Sequence, residues 1–196
     1  MNPQFWWYVT RASGIIAWLA LTASVLWGVV LSTKAFPRRR RPAWLLDLHR
    51  WLGGLTVAFV AIHLVALLAD SYVEFDLVDL LVPFASDWEP AAIALGVIAL
   101  WFLVAIELTS LAMRRLPKAW WRAVHLTSYL VFWLVSVHAA LAGTDPSHRL
   151  YQVTAVASIV AVAWATMYRI ANRRAVTRSS QPAPNPARAG VGPAPR

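Results

Sequence analysis

Four histidines stand inside long apolar stretches of this chain, at positions 49, 63, 125 and 138. His49 and His63 are 14 residues apart in "LHRWLGGLTVAFVAIHL"; His125 and His138 are 13 apart in "VHLTSYLVFWLVSVH". A neutral imidazole can ligate a metal, relay a proton, or pack as a hydrogen-bonded group. Ionisable side chains at membrane depth are costly, so four of them ask for a purpose. The chain has no cysteine. Disulfides, iron–sulfur clusters and thiolate metal sites are therefore excluded, and any metal must be held by His, Met or carboxylate.

Each spacing spans about 20 Å of helix axis, which fits within a hydrocarbon core of about 30 Å. Fourteen residues come within about 40° of four full turns, so His49 and His63 share one helix face. Thirteen fall about 140° short, so His125 and His138 do not share a face of a straight helix. No proline lies between them to supply a kink.

The elements that must position these residues follow from composition. The chain is 59% hydrophobic and only 14% charged, against about a quarter charged in soluble domains. Its apolar residues form blocks about 20 residues long, the length that crosses a bilayer. Five blocks predict an all-α integral membrane bundle with spans near Ser13–Ser32, Trp44–Ala69, Ala91–Met113, Trp120–Ala142 and Leu150–Met167. The N-terminus lacks the basic region and cleavage pattern of a signal peptide. The first block therefore reads as a retained span, with Phe5–Tyr8 as an interfacial aromatic belt.

Charge sets the orientation. Lys34 and Arg38–Arg41 lie in the first loop, and Arg114, Arg115, Lys118 and Arg122 lie around the third. Arg169, Arg173, Arg174, Arg178, Arg188 and Arg196 follow the last span. The second loop carries Asp70, Glu74, Asp76, Asp79, Asp87 and Glu89 and no Lys or Arg. The positive-inside rule places the N-terminus outside and the C-terminus in the cytoplasm. Of 18 basic residues only Arg11 and Arg149 fall outside. The net charge of +9 is thus mostly a topology signal. It also suits anionic lipid headgroups, and it does not point to nucleic acid. Residues 1–12 read as an outer segment, 13–169 as the membrane domain, and 170–196 as a cytoplasmic Pro/Ala/Arg tail, disordered from about Thr177.

The spans containing the two histidine pairs run in the same direction. His49 and His125 therefore sit near the cytoplasmic side, and His63 and His138 nearer the outside. Histidines reaching from two helices toward a common centre can hold a bis-His haem. Two levels imply two haems stacked across the membrane, a route for electrons. The competing class is a small transporter using the histidines for a metal ion or protons. Such sites usually add carboxylates at depth, and only Glu107 lies well inside a span, where Arg114 or Arg122 could pair with it. A third class is a structural or assembly protein with no cofactor.

Secondary features carry two readings each. Gly53 and Gly54, a turn after His49, give clearance for a haem ring or for a neighbouring helix. Arg11 at the outer mouth, and Arg50 and Arg122 at the inner one, are propionate partners or interfacial anchors. The outer loop Ser71–Pro90 is predicted to form a short helix within Phe75–Phe84, with Leu77, Leu80 and Leu81 toward lipid or bundle and Asp76 and Asp79 toward water. It serves as a connector, or as a lid over something bound at the outer mouth. His148 reads as a solvated loop residue.

The segments "LDLHRWLGGLTVAFVAIHL" and "WWRAVHLTSYLVFWLVSVHAALAGTD" resemble the ferric reductase-like transmembrane domain. That family includes the membrane parts of ferric reductases and NADPH oxidases and the haem-binding subunit of bacterial methionine sulfoxide reductase systems. The resemblance covers roughly Arg11 to Met167. It implies two b haems, with His49 and His125 on the inner one and His63 and His138 on the outer one. It also implies an oxidoreductase role passing electrons outward across the cell (cytoplasmic) membrane. Many members have six spans where five are read here. No glycine-rich dinucleotide fingerprint is found. The expected donor is therefore a separate cytoplasmic flavoprotein or a membrane quinol. An acceptor on the outer side is implied as well.

Overall fold

The structure is a computed structural model describing residues 4–33, 42–71, 73–143 and 149–179, with side chains described up to 171. The described residues contain helices and no strands. The elements are α1 (Phe5–Ser32), α2 (Trp44–Ala69), α3 (Leu77–Leu81), α4 (Pro90–Leu111), α5 (Lys118–Leu126), α6 (Ser128–Ala142) and α7 (Arg149–Ser179). Five stretches are long and apolar enough to cross a membrane: α1, α2, α4, α5 with α6, and the first part of α7. The five expected spans are all present.

Three features depart from the sequence reading. First, α1 begins at Phe5, within the segment 1–12 expected to precede the domain. The Phe5–Tyr8 belt and Arg11 are therefore part of the first helix. Second, α7 continues to Ser179, through residues 170–179 of the expected tail. Alanine and arginine are good helix formers, so an established helix extends through "ANRRAV" at little cost. Residues 180–196, His148 and the basic run 38–41 lie outside the described residues. Third, the fourth span is interrupted at Thr127, between α5 and α6. The Thr127 N–H donates to Val124 O, three residues back, at 3.0 Å. Its hydroxyl donates to the same carbonyl at 2.6 Å. This tight, back-bonded turn breaks the regular i→i−4 ladder, as serine and threonine can do inside helices.

The packing is built around α1. Helix α2 lies along α1, α4 lies along α6, and α1 also meets α6 and α7. A core forms from Trp18, Leu21 and Val25 of α1, Ala99 and Ile106 of α4, Val131 and Phe132 of α6, and Val162 of α7. Trp18 Nε1 donates to Ser136 Oγ at 3.0 Å, tying α1 to α6. Arg169 donates to the Tyr129 hydroxyl at 2.8 Å, tying α7 to α6. Among the described residues α2 has no comparably close packing against α4 or α6. The seam left there is where the histidines face one another. The opposite sides of α2 and α7 expose Trp51, Val65, Val153 and Trp164, as lipid-facing surfaces do.

The loop between α2 and α4 forms its short helix as expected. Asp76 accepts from the Val78 and Asp79 amides, and Asp79 accepts from the Asp76 amide, a reciprocal capping box. Leu80 is buried, whereas Leu77 and Leu81 are exposed. The Trp101 indole of α4 donates to Leu81 O at 2.9 Å and fastens the loop to the bundle.

A paired-histidine site on two levels

The seam brings the histidines together in two pairs. At the lower level the rings of His49 on α2 and His125 on α5 lie 5.9 Å apart, centre to centre, at 76°. At the upper level His63 on α2 and His138 on α6 line one cavity of about 290 Å³. Its walls are apolar, from Ile15, Trp18, Leu21, Val60, Val97, Leu103 and Val135. Trp7, Arg11, Asp70, Phe75, Leu80 and Trp88 line it too. Residues of the loop containing α3 therefore form part of the cavity wall.

Hydrogen bonding sets the character of the imidazoles. His63 Nδ1 lies 2.8 Å from Thr10 O, and His138 Nδ1 lies 2.7 Å from Ala92 O. A carbonyl only accepts, so Nδ1 carries the proton in both rings. Nε2 then keeps its lone pair, the form in which histidine binds a metal. At the lower level His49 Nδ1 has a longer contact, 3.4 Å, with Ser24 Oγ. His125 Nδ1 is buried with no hydrogen-bond partner among the described residues. That ring is held instead by stacking on Trp121 of its own helix, 5.2 Å away at 23°.

His125 on α5 and His138 on α6 stand on either side of the turn at Thr127. His125 faces His49 of α2, and His138 shares a cavity with His63 of α2.

The other expected site residues are spread more widely. Arg11 lines the cavity, with its guanidinium 4.2 Å from the Trp7 ring centre. Arg50 is exposed and bonds to Asp47 at 3.3 Å, and Arg122 is exposed. Gly53 faces Glu107, whose Oε1 lies 3.1 Å from where a Cβ would stand, and a Cβ on Gly54 would meet nothing within 4 Å. Neither glycine lines the cavity. Glu107 makes no ion pair with Arg114 or Arg122 among the described residues. The glycines that do approach the histidines are others. Gly14 faces His63, Gly28 faces His49, and Gly96 faces His138. Proximity in sequence to His49 drew attention to Gly53 and Gly54. The useful signal was that Gly14 and Gly28 repeat the 14-residue spacing of His49 and His63.

Fold and site together define a multi-pass membrane protein with paired intramembrane histidines. A family model described as a ferric reductase like transmembrane component matches residues 13–137, more than half of the chain. The chain belongs to that family, and membership implies a part in transmembrane electron transfer. The match takes in His49, His63 and His125 and ends one residue before His138. No curated protein and no solved structure shows a significant match.

Proposed function

We propose that the protein relays electrons across the cell membrane through two b-type haems, each held between two histidines. His49 and His125 ligate the haem of the lower level, and His63 and His138 that of the upper. The observation that carries this reading is the pair of Nδ1–H···O=C bonds at His63 and His138, which leave both Nε2 atoms free at one apolar cavity. At the lower level the rings of His49 and His125 stand 5.9 Å apart, centre to centre, and these two residues would hold the second haem. Among the described residues no group of three or more His, Asp or Glu forms a metal cluster. Two protein ligands per level suit a macrocycle that brings its own donors better than a bare cation.

When bound, haem supplies a one-electron carrier. The chain's residues hold it, orient it and keep water out. The carbonyls of Thr10 and Ala92 fix the tautomer of the upper ligands, and hydrogen-bonded ligands of this kind tune a metal's potential. The apolar walls lower the dielectric around the site. Arg11, which lines the cavity, would meet an anionic propionate at the upper level, and Arg122 would do so at the lower. Held by two histidines, each haem would supply outer-sphere electron transfer.

Purified protein produced with ample haem is expected to be coloured. It should give oxidised and dithionite-reduced spectra of low-spin b haem, at about two haems per chain. A colourless preparation would sink this reading, and histidine-dependent uptake of a divalent cation or protons would put a transporter in its place.

The orientation proposed from the loop charges puts the lower level on the cytoplasmic side, with the C-terminus inside. A cytoplasmic flavoprotein, or a quinol in the bilayer, then supplies electrons to the lower level, and an outer acceptor takes them from the upper. A fluorescent reporter fused to the C-terminus should be bright, and an alkaline phosphatase fusion inactive. The reverse pattern contradicts the assignment of inside and outside.

A further inference from the structure

We infer that Gly14 and Gly96 are positioning residues: each opens a helix carbonyl to an upper-level histidine. The inference rests on the bis-His reading for its role, and on geometry alone for its existence. In an α-helix the carbonyl of residue i points toward residue i+4, while the Cβ of i+4 tilts back over that carbonyl. The amide of i+4 uses one lone pair of the oxygen, and the Cβ shields the approach to the other. Glycine at i+4 removes the shield, and a ring from the next helix can lie against the backbone and donate to the second lone pair.

The arrangement occurs twice with the same spacing. His63 Nδ1 donates to Thr10 O at 2.8 Å, and a Cβ on Gly14, four residues on, would lie 3.2 Å from that nitrogen and from Cε1. His138 Nδ1 donates to Ala92 O at 2.7 Å, and a Cβ on Gly96, again four on, would lie 3.0 Å from the nitrogen and 2.9 Å from Cε1. A looser version stands at the lower level. Ser24 Oγ contacts His49 Nδ1 at 3.4 Å, and a Cβ on Gly28 would sit 3.4 Å from His49 Cε1, an ordinary contact. Gly14 on α1 and Gly96 on α4 thus act through the ligands of α2 and α6, and neither touches the reacting centre.

The distances rank the effects. A methyl on Gly96 must displace the His138 ring, one on Gly14 crowds His63, and one on Gly28 fits. The test uses the full chain in two forms. In haem-free protein labelled with ¹⁵N-histidine, NMR should show His63 and His138 as Nδ1–H tautomers. Gly96→Ala should abolish that signature for His138, and Gly14→Ala should weaken it for His63. In haem-loaded protein Gly96→Ala should shift the low-spin EPR signal and midpoint potential of the upper haem, or lose that haem, and spare the lower one. Gly28→Ala should leave both unchanged. A spared lower haem shows that the variant has folded, and Gly14→Ala stands in if Gly96→Ala does not fold. Unchanged tautomers and EPR signals in both Gly96→Ala and Gly14→Ala would overturn the inference. The haem reading fails separately: wild-type protein that takes up no haem refutes it, and the tautomer measurement still decides the role of the glycines.

Discussion

Under the proposed bis-His assignment, His63→Ala is expected to cost the protein the upper haem and leave the lower one in place. The upper pair shares one cavity, and under that assignment both imidazoles would be needed to hold the same haem. His138→Ala should therefore lose the same haem, and the double variant should lose no more than either single one. Haem content should fall by about half in all three, and the remaining spectrum should stay low-spin. His49→Ala and His125→Ala should remove the other half. Haem quantification and EPR on the purified variants read this directly. If His63→Ala and His125→Ala removed the same haem, the assignment of levels would be wrong.

The second large effect concerns the core. Phe132 is fully buried among Trp18, Leu21, Val25, Ala99, Ile106, Val131 and Val162. Phe132→Ala leaves a void where four helices meet. Within a bilayer the loss is mainly of van der Waals packing, because transfer from water contributes little between membrane helices. The expected cost is about 3 kcal/mol, the low end of the range for buried aromatic truncations. Unfolding of the purified protein in detergent measures it. Val153 is 65% exposed on α7, and Val153→Ala should change stability by no more than about 0.5 kcal/mol. Equal effects of the two substitutions would show that the core has been misplaced.

Much of the architecture was legible because the bilayer imposes simple rules. Length and apolarity marked the five spans, and histidine spacing marked two levels, since both depend only on rise per residue. The short helix α3 could be placed because Asp76 and Asp79 stand at capping positions. Helix ends were less legible. The Phe5–Tyr8 belt looked like a flank and proved to be helical, because aromatic residues at an interface are compatible with either. The break in the fourth span left a faint signal, a threonine that bonds back to Val124 where the angular count failed. The glycine contacts were hidden for a different reason. They pair residues on separate helices, and periodicity within one helix says nothing about register between two.

That register has a consequence for what the chain can tolerate. On antiparallel α1 and α2, Gly14 meets His63 and Gly28 meets His49. The number of residues between the glycines equals the number between the histidines. One residue inserted into α1 between them would turn one glycine by about 100° and slide it about 1.5 Å relative to the other. No rigid movement of the helix could then restore both contacts. A deletion or insertion between Gly14 and Gly28 is therefore expected to break one of the two contacts.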